Sequence, residues 1–330
     1  MSAKHDSMPA DRAGADPTTE LAARAARLHF EFHLTHQQVA DALGLSRVKV
    51  TRLIKHAHAV GLVRMVVASG ASPFADLEGA LTTRYGLVEA IVVPSPTAGS
   101  DGLRAMLAQG AATYMVRVLR EETVVAVGLS RTIGEAAWRV GTMAPGRRST
   151  TFVSLVGAVR DDGGAGGNAY DAAARLAQSF GGTVEHLHAP VIVRSPTVAR
   201  ELMRDPAIAN TLKLAASADV LVAGVGGRVD RIDLYGQGYL AKREWQELAL
   251  AGMVGDICAR FFDGEGRAVE HGASDRVIGL SLGQLMKIPS RVIAAGGSSK
   301  LEALRAALRG NLATVLVTDA ETARDLASGR

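Results

Sequence analysis

"LTHQQVADALGLSRVKVTRLIKHAHAVGLVRMVV", Leu34 to Val67, is a short basic block in a chain of 330 residues whose formal net charge is only +4. Between Glu20 and Val67 there are seven Arg or Lys against three Asp or Glu, so the rest of the chain is close to neutral. From Ser46 to Arg64 five basic residues occur and no acidic one. The local signals divide the block into helices. Thr35 stands where an N-cap belongs, and Gln38 three residues on has the spacing of a capping box. This predicts a short helix over His36–Leu43, facing inward through Val39, Ala40 and Leu43. Gly44 breaks it, because a left-handed turn residue costs little only for glycine and a few others. Ser46 then caps a third helix that ends near Val60 and turns Val50, Leu53, Ile54 and Ala57 inward. A preceding helix over Glu20–Phe32 carries Leu21, Ala25, Leu28 and Phe32 on one stripe. The weak alternation of Leu62–Val67 predicts a strand, one arm of a wing.

Two helices joined by so short a turn have the geometry of a helix-turn-helix. Its second helix fits the major groove of a duplex with its N-terminal residues at base edges. A basic face suits phosphate contacts. Arg47, Lys49 and Thr51 are the candidates for base contact, with Arg47 foremost because a guanidinium chelates guanine through two donors. Arg52 and Lys55 are candidate phosphate clamps, and Thr35, Gln37 and Ser46 flank them at the helix starts. The competing reading is an ordinary three-helix packing unit with a solvated face. The turn spacing, the caps and the one-sided charge together favour DNA.

At 48% hydrophobic residues the chain is long enough for more than one core. Cys258 is the only cysteine, which excludes an internal disulfide and a cysteine-based metal site and makes a reducing cytoplasm the expected compartment. The N-terminus lacks the apolar run of a signal peptide, and no stretch approaches a membrane span. The expected organisation is a disordered tail at 1–18, the helix-turn-helix domain at 19–67, a linker at 68–76 and a large domain at 77–330.

That large domain alternates short apolar runs with Ala-rich helical runs. Strands are predicted at Ala90–Pro94, Thr123–Gly128, Thr150–Val156, Val191–Val193, Asp219–Gly224, Arg291–Ala295 and Thr314–Thr318. Helices are predicted at Asp101–Leu119, Thr132–Gly141, Ala169–Phe180, Val198–Arg204, Ala207–Ala216, Lys300–Arg309 and Glu321–Ala327. Continuous apolar strands imply a buried parallel sheet covered by helices, an α/β, Rossmann-like domain. Ligands in such sheets sit beyond the C-terminal ends of the strands.

Four such exits are notable. "VAVGLSRTIGE" places Gly128, Ser130, Arg131 and Thr132 between a strand and a helix, a plausible phosphate cradle. "VAGVGGRVD" offers Gly224, Gly226 and Gly227 for close backbone approach. "AAGGSSK" brings Gly296, Gly297, Ser298 and Lys300 to a helix start. "VTDAETA" closes the set with Thr318 and Asp319. In "VDRIDLYGQGYL", Asp230, Asp233 and Gln237 suit the hydroxyls of a sugar or polyol, with Tyr235 and Tyr239 placed to close over it. The alternative for each exit is a plain strand-to-helix turn. Dinucleotide, P-loop, metalloprotease and nucleophile-elbow motifs are all absent. His186 and His188 alternate on an extended segment with no cysteine nearby and do not make a zinc site, "FFDGEG" lacks the ligands of a calcium loop, and Cys258 reads as core. No metal, cofactor or catalytic residue is expected.

The quoted block, together with "VVAVGLSRTIGEAA", "ADVLVAGVGG", "GMVGDICARFFDGEG", "RVIGLSLGQLMKIPSRVIAAGGSSKLEALRAALRG" and "VLVTDAETARDL", resembles the SorC family of bacterial sugar-responsive transcription regulators over roughly 20–330. Within the family it resembles regulators of erythritol and other polyol catabolism, which implies a polyol or its phosphate as effector. The resemblance implies a sensor domain folded like sugar-phosphate isomerases and deaminases, operator DNA as partner, and a homodimer or homotetramer; the lack of an apolar span predicts no membrane partner. The resemblance also implies phosphate against Gly128–Thr132 and Gly296–Lys300, and sugar hydroxyls near Gly224–Asp230. The family's "G-L-S-W-G-R-T" pattern is shortened here to Gly128-Leu129-Ser130-Arg131-Thr132. The alternative function is a sugar-phosphate isomerase or aldolase-like enzyme with an appended DNA domain, in which Asp230, Asp233 or His271 is the base and Lys300 the electrophile. A purely architectural DNA binder is the third reading.

Overall fold

The computed structural model describes residues 17–32, 34–63, 72–96, 99–143, 146–158, 168–227 and 238–329. The chain divides into two compact units, Met1–Gly70 and Ala71–Arg330.

Among its described residues the first unit holds three helices, α1 (Pro17–Phe30), α2 (His36–Leu43) and α3 (Arg47–Ala59). Thr35 accepts from the Gln38 amide while Gln38 Oε1 accepts from the Thr35 amide at 2.9 Å, which completes the capping box. Gly44 ends α2 at φ 64°, ψ 37°, the left-handed conformation expected of it. Ser46 caps α3 through the Lys49 amide. Val50, Leu53, Ile54 and Ala57 are all buried, as their spacing predicts, against Ala22, Ala25 and Ala26 of α1 and Val39 and Ala40 of α2. Small residues on α1 let the helices approach closely. Phe32, expected on the α1 stripe, lies beyond the helix end and is 63% exposed. The strand expected over Leu62–Val67 falls largely outside the described residues, since only Leu62 and Val63 are described.

The second unit begins with α4 (Ala75–Tyr85), so the segment expected as a linker to residue 76 runs into a helix. There follow β1 (Glu89–Val93), α5 (Gly99–Val118), β2 (Val124–Val127), α6 (Arg131–Met143), β3 (Thr151–Ser154), α7 (Ala169–Phe180), β4 (Thr183–Glu185), α8 (Pro196–Arg204) and α9 (Pro206–Ala216). The chain continues through β5 (Val220–Ala223), β6 (Gly226–Gly227), α10 (Lys242–Leu250), β7 (Gly255–Ile257), β8 (Arg260–Phe262) and α11 (Leu282–Leu285). It ends with β9 (Ser290–Ala294), α12 (Leu301–Arg309), β10 (Val315–Asp319) and α13 (Ala320–Ser328).

Among the described residues seven strands form one sheet in the order β1-β10-β9-β5-β2-β3-β4. Every pairing in it is parallel. The apolar runs are continuous because both faces are covered. Ala126, Leu221, Ala223, Ile293 and Leu316 enter one core, and Val125, Val127, Val222, Val292 and Val317 the other. α5, α6 and α7 supply the second core, and their Ala and Gly content sets the distance. A Cβ on Gly110 of α5 would come within 2.9 Å of Val317 and Val93. Val191–Val193, expected as a strand, makes only an isolated bridge through Ile192 to Val277, and the real edge strand is Thr183–Glu185. Its exposed, polar sequence gives no apolar run to read. A second, antiparallel sheet of β6, β7 and β8 was not expected from the sequence.

Strand order reverses between β2 and β5. From β2 the chain moves outward through β3 and β4, then returns to β5 on the other side of β2 and proceeds to β9 and β10. A crevice outside the carboxyl ends of the strands opens at such a reversal, which is where doubly wound sheets hold ligands.

Candidate functional site

A cleft of about 670 Å³ lies beyond the C-terminal ends of five strands in the second unit. Among the described residues it is lined by Ser95 after β1, Leu129–Thr132 after β2, Gly224–Gly226 after β5, Ala295–Leu301 after β9 and Asp319, Glu321 and Thr322 at the end of β10. All four exits singled out in the sequence therefore reach one cavity. Ser130, Arg131, Thr132, Gly224, Gly226, Gly296, Gly297, Ser298 and Lys300 line it. Gly128 and Gly227 do not line it and pack behind the lining, against Cys258 Sγ and the Ser299 carbonyl respectively. Asp230, Asp233 and Gln237, with Tyr235, lie outside the described residues.

The glycines have a structural reason that spacing alone does not reveal. A Cβ on Gly224 would sit 2.6 Å from Ser130 Oγ, one on Gly226 2.1 Å from Asp256 Oδ1, and one on Gly296 2.3 Å from Asp319 Oδ2. Each glycine makes room for a polar side chain of a neighbouring element, and that close packing draws the exits together. Ser130 also caps α6, its Oγ accepting from the Ile133 amide at 3.3 Å. The positive end of the α6 macrodipole therefore points into the cleft.

Asp319 organises the β9 exit. It is 2% exposed and caps α13. Oδ1 accepts from Ser95 Oγ at 2.8 Å and from the Glu321 and Thr322 amides at 3.1 Å each. Oδ2 accepts from the Gly297 amide at 3.0 Å and from Thr322 Oγ1 at 2.5 Å. Burial alone would raise its pKa, but hydrogen bonds from Thr322, Ser95 and the backbone outweigh that and hold the carboxyl below the usual carboxylate range. Gly297 stands at φ 91°, a conformation few residues other than glycine adopt. Asp319 belongs to the fourth exit, and its place before Glu321 and Thr322 is an N-cap signal.

Asp256 and Cys258 reach the cleft from the β7–β8 hairpin; the sequence does not mark Asp256, and it marks Cys258 only as core. The hairpin turns through Cys258 and Ala259 at φ 54° and 63°, and Asp256 Oδ2 accepts from the Ala259 amide at 3.0 Å. Burial pushes the Cys258 thiol up to about 12, so it is an inert core sulfur, in keeping with its sequence reading. Arg260, at the start of β8, anchors this hairpin. Its guanidinium donates to the carbonyls of Leu280 at 2.7 Å, Ser274 at 2.8 Å, Gly279 at 2.7 Å and Val277 at 3.3 Å.

His271, the base of the enzymatic alternative, is not among the lining residues. Its Nδ1 accepts from the Ala273 amide at 3.1 Å and its Nε2 lies 3.6 Å from Glu247. His186 stacks on Tyr170 with ring centroids 4.7 Å apart. No group of three or more metal-binding side chains occurs among the described residues. None of the described helices is long and apolar enough to cross a membrane.

In the first unit, Arg47, Lys49, Arg52 and Lys55 are all exposed on α3, which has no acid in its first turn. Thr51 is half-buried. Its hydroxyl donates to the Arg47 carbonyl at 3.0 Å, so the contact with His36 Nδ1 at 3.1 Å is one in which the imidazole donates. Gln37 is exposed and donates to Asp41 at 2.8 Å, and the Ser46 hydroxyl is occupied as the cap.

Comparison with known proteins agrees with this architecture. Residues 71–328 match the Sugar-bind family, described as "Putative sugar-binding domain". The chain is 32% identical over 313 residues to the deoxyribonucleoside regulator of Bacillus subtilis, covering 93% of this chain and 97% of that one. It is 31% identical over 317 residues to the erythritol catabolism regulatory protein EryD of Brucella abortus, covering 94% and 98%. Among solved structures, the sugar-binding domain of a Vibrio fischeri transcriptional repressor superposes with a TM-score of 0.69 at 28% identity, over 77% of this chain and 98% of that one. The full-length sorbitol operon regulator SorC of Klebsiella pneumoniae shares the fold at a TM-score of 0.73 and 22% identity, over 95% and 100%. These relatives are regulators, and the role of the chain is regulatory and not enzymatic. With the family matched over the whole second unit and the relatives over nearly the whole chain, the protein belongs to the DeoR/SorC-like family of sugar-binding transcriptional regulators.

Proposed function

We propose that the chain is a cytoplasmic, ligand-controlled regulator of a carbohydrate or polyol catabolic operon. It binds operator DNA through α2 and α3 and takes a small sugar, polyol or sugar phosphate in the cleft of the second unit. The observation that carries the reading is the convergence of the strand exits on one polar cleft at the point where strand order reverses. The α6 N-terminus, Arg131 and Lys300 favour an anionic group. Asp256 and Glu321 supply acceptors for hydroxyls, and Asp319 holds the exits around them. Ser130, Thr132, Gly224, Gly226, Gly296, Gly297 and Ser298 shape the site, with Gly128 and Gly227 behind it. Asp230, Asp233 and Gln237 remain the proposed hydroxyl partners from the sequence. Membership of the SorC branch and a polyol effector belong to this proposal, because the erythritol regulator and the deoxyribonucleoside regulator are similar to the chain at almost the same level.

On the DNA, Arg47, Lys49 and Thr51 are the proposed base contacts, with Arg52, Lys55, Thr35, Gln37 and Ser46 towards the backbone. A homodimer or homotetramer presents two such modules to a palindromic site. The effector acts by binding one subunit arrangement more tightly than another, which shifts their populations.

Two experiments test this. A thermal-shift screen against sugars, polyols and their phosphates is expected to raise the melting temperature with one chemical class, because a ligand of the native state stabilises by mass action. A shift with a phosphate ester and none with the free compound identifies the α6 and β9 exits as the anion site. A screen without any shift refutes the effector assignment. For DNA, Arg47→Ala is expected to reduce operator affinity about tenfold and random-sequence affinity much less. Equal loss on both duplexes, read by titration at one salt concentration, removes Arg47 from base reading.

A further inference from the structure

We infer that Val48 is a base-reading residue of the regulator and that it recognises the C5-methyl group of thymine in the major groove. The inference rests on the proposed operator binding and deepens it. The inward face of α3 is Val50, Leu53, Ile54 and Ala57, all buried. At about 100° per residue, the line diametrically opposite runs through Val48, Arg52, Lys55 and Ala59. Arg47 and Lys49 flank that line on its two sides. The outermost residue of the first helical turn is therefore the valine and not either neighbouring cation.

Val48 is 63% exposed and is surrounded on α3 by Arg47, Lys49, Arg52 and Lys55. Folding gives no reason for it. Its side chain joins no core cluster among the described residues. A β-branched residue on the solvent side of a helix is also a little worse than alanine or lysine. The charge around it attracts phosphate, and the first turn of such a helix is what approaches base edges. There, the apolar feature a duplex offers is the thymine methyl, which aliphatic side chains contact in preference to any other base edge. Thr51, which also carries a methyl, is held by His36 and the Arg47 carbonyl and sits further round the helix.

The test uses the full chain. Duplexes preferred by the protein are selected from a random pool, and each thymine of the preferred sequence is replaced in turn by deoxyuridine, which keeps the hydrogen-bonding edge and lacks only the methyl. Expected for the unaltered protein is a loss of about fourfold in affinity at one defined thymine, the ratio that about 0.8 kcal/mol for one methyl group gives. In Val48→Ala that thymine is expected to become insensitive to the replacement, with other positions unchanged. Because Val48 is exposed, the variant keeps its fold, and an unchanged melting temperature verifies this. A preferred sequence in which no thymine responds, or in which Val48→Ala responds like the original, overturns the assignment alone. A pool that yields no preferred sequence overturns operator reading itself, and this assignment with it.

Discussion

Arg260→Ala is expected to lower the unfolding free energy of the second unit by about 3 kcal/mol. For a unit of this size the corresponding fall in Tm is about 9 °C. One guanidinium satisfies four carbonyls, those of Ser274, Val277, Gly279 and Leu280. Burial moves the Arg260 pKa down only to about 10, so the group remains charged at neutral pH and each bond is charge-assisted. Alanine takes the guanidinium donor from all four carbonyls, of which Ser274 keeps the Val277 amide, and removes the stem between the hairpin and the 274–280 segment. That segment is tied by isolated bridges to the chain beyond β3, Val156 to Gly279, and to the chain beyond β4, Ile192 to Val277. Loosening it therefore also loosens the hairpin that presents Asp256 to the cleft. Arg260→Lys is expected to fall between, because an ammonium keeps the charge but not the planar fork that reaches several carbonyls at once. A loss below about 1 kcal/mol for the alanine variant, from urea midpoints at pH 7, shows that water replaces the guanidinium and that the clamp is not structural.

The contrast between α3 and the β7–β8 hairpin shows what the sequence discloses. Caps, glycine breaks and helical spacing are local, so α2 is legible to the residue and the buried face of α3 in full. The buried strands are legible because both faces are apolar. The four exits are legible because a parallel sheet puts all strand ends on one side, whatever the strand order. The hairpin is not legible, because its turn uses Cys258 and Ala259 at positive φ, where turn chemistry would lead one to look for Gly or Asn. β4 is short and polar, and α4 and α10 each bury only one residue fully, Leu81 and Leu248. Arg260 and Asp319 act through partners that only the fold supplies: Asp319 bonds Ser95 from 224 positions away. The glycines were recognised, but what they accommodate, Ser130, Asp256 and Asp319, appears only when the exits are brought side by side.

Asp319→Asn is expected to cost about 3 kcal/mol at pH 7, and the cost is expected to shrink in acid. The carboxylate accepts five hydrogen bonds while 2% exposed, from Ser95, Gly297, Thr322 twice and Glu321. An amide offers one oxygen and turns a donor towards some of those donors. The pH dependence follows from the depressed pKa. The unfolded chain takes up the proton near the ordinary aspartate value of about 3.9, and the folded chain only below it. Stability from this group is therefore fully present above about pH 5. It is lost as the pH falls through the unfolded value and then the folded one. The asparagine variant has no such titration, so the gap between the two proteins is constant from about pH 7 to about pH 5 and narrows below about pH 4. Urea midpoints at those pH values measure it. A gap that stays constant to about pH 3 contradicts the depressed ionisation and assigns the loss to shape alone. The substitution also separates scaffold from ligand contact. Asp319 holds Ser95 after β1 and Gly297 after β9, the exits of the two strands that flank β10, so Asp319→Asn is expected to reduce the thermal shift by an effector. Ser95→Ala removes one of the five bonds and is expected to reduce that shift only slightly. If Ser95→Ala abolishes the shift while Asp319→Asn leaves it intact, Ser95 touches the effector and Asp319 does not position the site.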